Sequence, residues 1–329
     1  MWRRLAEELD LKSKKNGGML KRGEMWSLEY YRNPYLTFSS DEYLHKRFIE
    51  HSHNTFRLTS KGKIATHYEF TKDDGLLGPL FAHMNEEFGI RGGIPVSLLQ
   101  KSNGELLKYF ENDPITGVKL FRDYPEKLDN VIVKFGQQVH LSSMLRDGQL
   151  RLSPAEFYQR NNLHKAMQDT ETDRDFHVPQ FQTILDGKKS VNLGGFDAKL
   201  EDGFFKLVVK CPEYLLWSAC LDIDRRMPDD FGANAALIIR DPRAFLFRLK
   251  NAVKSKWPAA PVWAGPIKYY DPCSFVDRRS RPETIKHFSY YYQREWRFCA
   301  FPNEGDMPIE PIIFSIGALE DIAELVTLS

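Results

Sequence analysis

The stretch YYYQREWRFCAF, residues 290–301, decides how the second half of the chain is read. From Glu295 onward polar and apolar side chains alternate. Glu295, Arg297 and Cys299 fall on one side, and Trp296, Phe298 and Ala300 on the other. Period-two alternation is the mark of a strand with one face turned to a core. This strand therefore carries a carboxylate and a guanidinium, two residues apart, on its less apolar face.

The flanking sequence repeats short strands. VIVKF (131–135) is an apolar run, and QQVHLSSMLRDG after it places Leu141, Met144 and Leu145 on one helical face before stopping at Gly148. QLRLSP (149–154) reads as a strand ended by Pro154, with Arg151 pointing opposite to Leu150 and Leu152. FFKLVVK (204–210), EYLLWSACLDI (213–223) and NAALIIR (234–240) read as further strands. Asp241 and Pro242 suit the N-cap and first turn of a helix in which Phe245, Leu249 and Val253 recur every fourth residue. PIIFSIG (311–317) continues the strands, and ALEDIAELV (318–326) reads as a short closing helix. The expectation is an α+β domain on mostly antiparallel sheet, spanning residues 126–329.

The boundary falls in the turn-rich ENDPITGVKLFRDYPEKLDN (111–130). Residues 1–125 read as a mixed, mainly helical region that begins frayed, with KSKKNGG (12–18) as a linker. SSDEYLHKRFIEH (39–51) opens on capping residues and puts Tyr43, Leu44 and Phe48 on one helical face. TFRLTSKGKIATHYEF (55–70) follows as strand, turn, then helix or strand, an order compatible with a winged-helix-like module.

Of the 329 residues, 42% are hydrophobic, enough for a substantial core. The 46 basic and 45 acidic residues leave a net charge of +1, which removes the whole-chain argument for nonspecific nucleic-acid binding and leaves only a local patch. Basic and aromatic residues do interleave in RRSRPETIKHFSYYYQREWR (278–297). Four cysteines without C-x-x-C spacing read as free thiols in a reducing compartment. No signal-peptide core and no run near the ~20 apolar residues of a membrane span is present, so a cytoplasmic protein without membrane contact is expected. His51 and His53 lack companions at metal-ligand spacing, and no metal site is expected. His140 falls on the polar side of its helix and reads as solvent-facing or capping before general base. Walker, G-x-G-x-x-G and G-x-S-x-G motifs do not occur, which disfavours P-loop, Rossmann and α/β-hydrolase enzymes.

Three pieces in order, LRLSPAEFYQRN (150–161), LLWSACLDI (215–223) with FGANAALII (231–239), and YYYQREWRF (290–298), resemble a bacterial family catalogued as a domain of unknown function. The Q-x-E-W-R piece is the most specific. The order of elements also resembles ADP-ribosyltransferases, including the nucleic-acid-modifying toxins of toxin–antitoxin and phage-defence systems. That resemblance implies an ADP-ribosyltransferase-like split antiparallel sheet, NAD as co-substrate, and mono-ADP-ribosyl transfer to a macromolecule, with RNA or DNA as acceptor and an antitoxin protein as a further partner. Residues 1–125 would then recognise the target or the antitoxin.

Cleaving the nicotinamide–ribose bond passes through an oxocarbenium-like ribosyl cation, which a carboxylate on the ribose side stabilises. Under the resemblance Glu295 is that catalytic residue and Gln293 orients the acceptor. Arg151 would clamp the diphosphate, because a guanidinium fork matches phosphate oxygens. The strand end Lys134, Phe135, Gly136 and Gln137 would hold the cofactor, Gly136 by close backbone approach. Ser153 would meet the nicotinamide ribose, Tyr158 with Phe157 would stack on the ring, and Trp217 with Ser218 would stand at the pocket floor. The chain departs from the family in lacking a His or Arg on the first strand. It departs again after Tyr158, where Asn161 and Asn162 follow and the acidic run DTETD begins only at Asp169. A non-catalytic nucleotide- or partner-binding module and an NAD glycohydrolase are the alternatives.

Overall fold

A computed structural model describes residues 1–66, 76–111, 115–159, 171–179, 190–193, 196–273 and 280–328. Asn161, Asn162, Asp169 and the end of the expected 55–70 strand–turn unit lie outside these residues. The chain is α+β with mostly antiparallel sheets, the two-stranded pair of 268–270 with 285–287 being parallel. Helices α1 (Trp2–Lys15), α2 (Arg22–Arg32) and α3 (Asp41–Asn54) lead into a hairpin of β1 (Phe56–Leu58) and β2 (Ile64–Thr66). Helices α4 (Leu77–Ile90), α5 (Val96–Glu111) and α6 (Thr116–Leu120) complete this part. Ser40 caps α3 by accepting from the Tyr43 amide at 3.1 Å, and Leu44 and Phe48 are buried as their spacing predicts. His51 bonds the Leu77 carbonyl through Nε2, and His53 lies against Arg226, so both rings have structural roles.

The remaining elements are β3 (Ile132–Gly136), α7 (Gln138–Asp147), β4 (Gln149–Pro154), β5 (Asp173–Pro179), β6 (Ser190–Leu193), β7 (Phe196–Glu201), β8 (Phe204–Lys210) and β9 (Leu215–Cys220). After them come α8 (Met227–Phe231), β10 (Ala235–Ile239), α9 (Pro242–Lys256), β11 (Val262–Pro266), β12 (Lys268–Tyr270), β13 (Ile285–His287), β14 (Glu295–Ala300), β15 (Ile312–Ser315) and β16 (Ala323–Thr327). The main sheet runs β11-β14-β9-β3-β10-β16, every neighbour antiparallel, with β15 and β4 branching from β9. A second sheet, β5-β8-β7-β6, is inserted between β4 and β9 in sequence.

The branch is what makes a site. On one side of β9, β3 pairs only at Cys220–Val133 and β4 only at Leu216–Ser153 and Leu215–Pro154. Between those contacts, Trp217 to Ala219 have no strand neighbour on that side among the described residues, and the sheet gapes there.

One face of the sheet buries Trp217, Trp296, Phe298, Leu237 and Ile239 against Phe245, Leu249 and Val253 of α9 and Leu141 and Met144 of α7. Each fully buried side chain of this kind contributes roughly 1.5–3 kcal/mol. Asp241 caps α9 by accepting from the amides of Arg243 and Ala244. Gly148 ends α7 with φ 64°, and a Cβ there would stand 2.1 Å from the Gly317 carbonyl oxygen, so only glycine fits.

The expected closing helix at 318–326 is not formed. Residues Ala323–Thr327 are instead β16, paired antiparallel to β10 from Ala323–Ile239 to Ala235–Thr327. A short isolated helix gains little, whereas the open edge of β10 offers backbone partners and a place to bury Val326.

Helices and sheets meet through buried polar contacts. Arg47 of α3 forms a two-pronged pair with Asp271, at 2.8 and 2.5 Å. Arg226 lies between the rings of Phe56 and Tyr292, 4.3 and 4.2 Å from their centroids, and donates to the His53 carbonyl. No helix among the described residues is long and apolar enough to cross a membrane.

Candidate functional site

The gap beside β9 opens into a cavity of about 650 Å³, within the range of small-molecule and cofactor sites. Its walls come from Lys134, Phe135, Gly136 and Gln137 at the end of β3, Arg151 on β4, Tyr158 after it, Trp217 and Ser218 on β9, Gln293 just before β14 and Glu295 at its start. These are the residues singled out in the sequence, except Ser153 and Phe157, which do not line the cavity. Ser153 pairs with Leu216 inside the sheet, is fully buried and does not line the cavity. His140 stands exposed at the cavity edge, and Phe157 lies under Arg151, 5.2 Å from its guanidinium carbon.

Glu295 is placed by a tight turn. Phe288–Gln293 form a 3-10 helix, and Arg294 then adopts φ 42°, an uncommon left-handed conformation for a non-glycine residue. The chain reverses there and enters β14 with Glu295 as its first residue. Its amide donates to the Tyr269 hydroxyl at 2.8 Å.

Both Glu295 oxygens are held. Oε1 accepts from Arg297 Nε at 2.7 Å, and Oε2 accepts from Lys286 Nζ at 3.0 Å. Arg297 uses the rest of its fork on Glu171, 2.7 Å from Nη1 and 2.9 Å from Nη2. Arg174 adds a third cation to Glu171 at 3.0 Å, and the Tyr214 hydroxyl stands 3.2 Å from Arg297 Nη1. Burial alone would raise the pKa of Glu295. The guanidinium of Arg297 and the ammonium of Lys286 outweigh it, so this carboxyl stays below the usual carboxylate range. Glu171 is depressed for the same reasons, with Arg297 its strongest partner.

Across the cavity the charge is positive. Lys134 Nζ donates to the Ser218 carbonyl at 2.5 Å, a backbone oxygen left without a strand partner by the gap. It sits 5.2 Å from the Trp217 ring centre, and burial pushes its pKa down to about 8. The Arg151 side chain is exposed, and no salt bridge to it is present among the described residues. The cavity thus has an anionic wall at Glu295 and a cationic one at Lys134 and Arg151, with Trp217 and Tyr158 supplying aromatic surface. Such a wall pair suits a ligand with separated negative and positive groups and a flat ring for the aromatic surface.

Gln293 is not free to swing toward solvent. It is 4% exposed, and its Oε1 accepts from Lys286 at 3.2 Å. Two residues of the site went unread in the sequence. Lys286 lies on the three-residue strand β13, too short for a periodic signal. Glu171 belongs to the DTETD run, and nothing in its neighbourhood points to a partner as remote as Arg297. No family model, curated protein or solved structure matches the chain.

Proposed function

We propose that the chain is a mono-ADP-ribosyltransferase that uses NAD as co-substrate and cleaves its nicotinamide–ribose bond beside Glu295. The observation that carries this reading is that one cavity gathers an ionised, buried carboxylate, an Arg151 without an ion-pair partner among the described residues, and two aromatic walls. Glu295 would accept from the ribose hydroxyls and face the cation that forms as the glycosidic bond breaks. The bonding electrons leave with the nicotinamide nitrogen, neutralising its charge. An acceptor nucleophile then bonds to the ribose carbon and loses its proton. Arg151 would hold the diphosphate, with Lys134 adding positive charge from the β3 end.

The acceptor in this reading is a macromolecule, RNA or DNA first, for a cytoplasmic toxin or defence effector restrained by an antitoxin protein. In the interleaved basic and aromatic run ending at β14, Lys286, Arg297, Phe288 and Tyr292 are buried, so support for a nucleic acid is confined to its exposed members such as Arg281. The test is release of nicotinamide from NAD by the full chain, with labelled RNA, DNA and protein offered as acceptors. Release by wild type and its loss in Glu295→Gln supports the enzyme, and label on one acceptor class identifies it. Release without label assigns an NAD glycohydrolase.

A second reading is a nucleotide-binding module. It is favoured by the engagement of both Glu295 oxygens and the 4% exposure of that residue. NAD binding without nicotinamide release in any acceptor mixture would decide for it.

A further inference from the structure

We propose that Lys286 is the positioning residue of the site: its ammonium fixes the Glu295 carboxylate against Arg297 and leaves its remaining lone pairs for the ligand. This rests on the reading of Glu295 as the group that meets the ligand. The geometry supports it through a division of labour between the two cations. Arg297 reaches Glu295 only through Nε, and its Nη1 and Nη2 are taken by Glu171, by the Tyr214 hydroxyl and by the Glu283 carbonyl at 3.2 Å. Arg297 is thus chiefly the tie between β14 and the segment entering β5. Lys286 is placed differently. Its ammonium donates to Glu295 Oε2 at 3.0 Å and to Gln293 Oε1 at 3.2 Å, and it stands 3.6 Å from Glu171 Oε1. It is 5% exposed and lines the cavity with Glu295.

A carboxylate offers about four acceptor sites. Two on Glu295 are taken, one on each oxygen, so its orientation is set from two sides while the others stay available. Loss of Lys286 would remove the side of this clamp that belongs to the cavity. Glu295 would then keep one charged donor, Arg297, while the negative Glu171 stayed nearby. The other titratable groups around Glu295 do not replace the lost charge. Cys220 on β9 lies opposite Glu295 in the sheet, and burial raises its thiol; the Tyr269 and Tyr158 hydroxyls are raised by burial too, so all three stay neutral. Lys134 is directed to the Ser218 carbonyl.

The experiment is a titration of the Glu295 side-chain carboxyl by carbon-13 NMR in the full chain, assigned with Glu295→Gln. Wild type is compared with Lys286→Met, Lys286→Gln and Lys286→Arg, each checked for a native unfolding transition. Removing the charge in Lys286→Met should raise the Glu295 midpoint by at least one pH unit, a roughly tenfold gain in proton affinity. Lys286→Gln, a smaller and still polar change, should give an intermediate rise and serves if the methionine variant does not fold. Lys286→Arg should return the midpoint to near wild type. A midpoint unmoved in the folded Met or Gln variant, or an Arg variant that behaves like Met, overturns the proposal. Nicotinamide release is read in parallel and should fall in kcat with Lys286→Met and recover with Lys286→Arg. Because the titration reads the carboxyl itself, wild type that releases no nicotinamide would sink the transferase reading, while the midpoints would still decide the role of Lys286.

Discussion

Two clusters of buried charge in this molecule use the same chemistry to different ends. Around Glu295 two carboxylates and three cations are linked, and Glu295, Glu171 and Lys286 among them line the cavity. Around Arg47 a guanidinium and the Asp271 carboxylate are closed in by Tyr35, whose hydroxyl accepts from Arg47 at 3.2 Å, and by His83, His177 and Cys273. None of that second set lines the cavity beside β9. The lesson is that a buried ion pair does not mark a site. What distinguishes the first cluster is a wall onto the cavity, created because the sheet branches at β9, and cavity-facing groups that retain acceptor capacity. The second cluster ties helix to sheet.

The comparison breaks most visibly at Arg47. Arg47→Met leaves the Asp271 carboxylate buried without its cation, and loss of one partner of such a pair costs roughly 3–5 kcal/mol. Urea unfolding should show that loss, with nicotinamide release per folded molecule kept. A stability loss below about 1 kcal/mol would place the pair among the energetically minor ones. Glu295→Gln is the mirror image. Removing a single group that stabilises a developing charge costs on the order of 10²–10³ in kcat. The stability loss should be smaller than for Arg47→Met, because Glu171 still neutralises Arg297. If the two variants exchanged phenotypes, the assignment of site and tie would be reversed.

How much of this could be read from the sequence depended on range. The alternation in 295–300 and the spacing of Phe245, Leu249 and Val253 are local patterns, and the structure has both, with Trp296 and Phe298 facing α9 and Glu295 and Arg297 on the other side. The closing segment misled because ALEDIAELV has helical spacing, and only the open edge of β10, 84 to 92 residues earlier by the paired positions, decides for a strand. Ser153 misled for a related reason. The resemblance put it at the nicotinamide ribose, but it pairs with Leu216 and is fully buried, while Arg151 remains at the cavity. Lys286 and Glu171 carry no signature of their own. Their roles arise from ion pairs that the folded structure makes, Glu171 with Arg297 across 126 residues and Lys286 with Glu295 across the turn into β14.

The cationic wall sharpens the contrast at lower cost. Arg151 has no salt bridge among the described residues and leans only on Phe157. Arg151→Ala should therefore leave urea unfolding nearly unchanged and weaken NAD binding roughly tenfold, the worth of one charge-assisted contact to phosphate. Calorimetric titration with NAD and with nicotinamide riboside separates the roles. If Arg151 holds the diphosphate, only the NAD affinity should fall.

The smallest effect distinguishes the clusters by pH. His83 and His177 are kept neutral by burial, their pKa values pushed down to about 4. In the unfolded chain an imidazole titrates near 6.5. As pH falls below that value the unfolded state takes up protons that the native state refuses, so this stability is complete above pH 6.5 and is lost on acidification toward pH 4. Between pH 7.5 and 5.5 each histidine should cost about 1 kcal/mol. The depressed Glu295 and Glu171 carboxyls work in a lower window, losing their contribution only as pH drops below the ordinary carboxylate range. His177→Phe should accordingly flatten the fall in urea midpoint between pH 7.5 and 5.5 by the share of one histidine and leave the titration of Glu295 untouched. A slope unchanged by this substitution would mean that His177 is not held neutral, and that the helix–sheet tie is set by Arg47 and Asp271 without it.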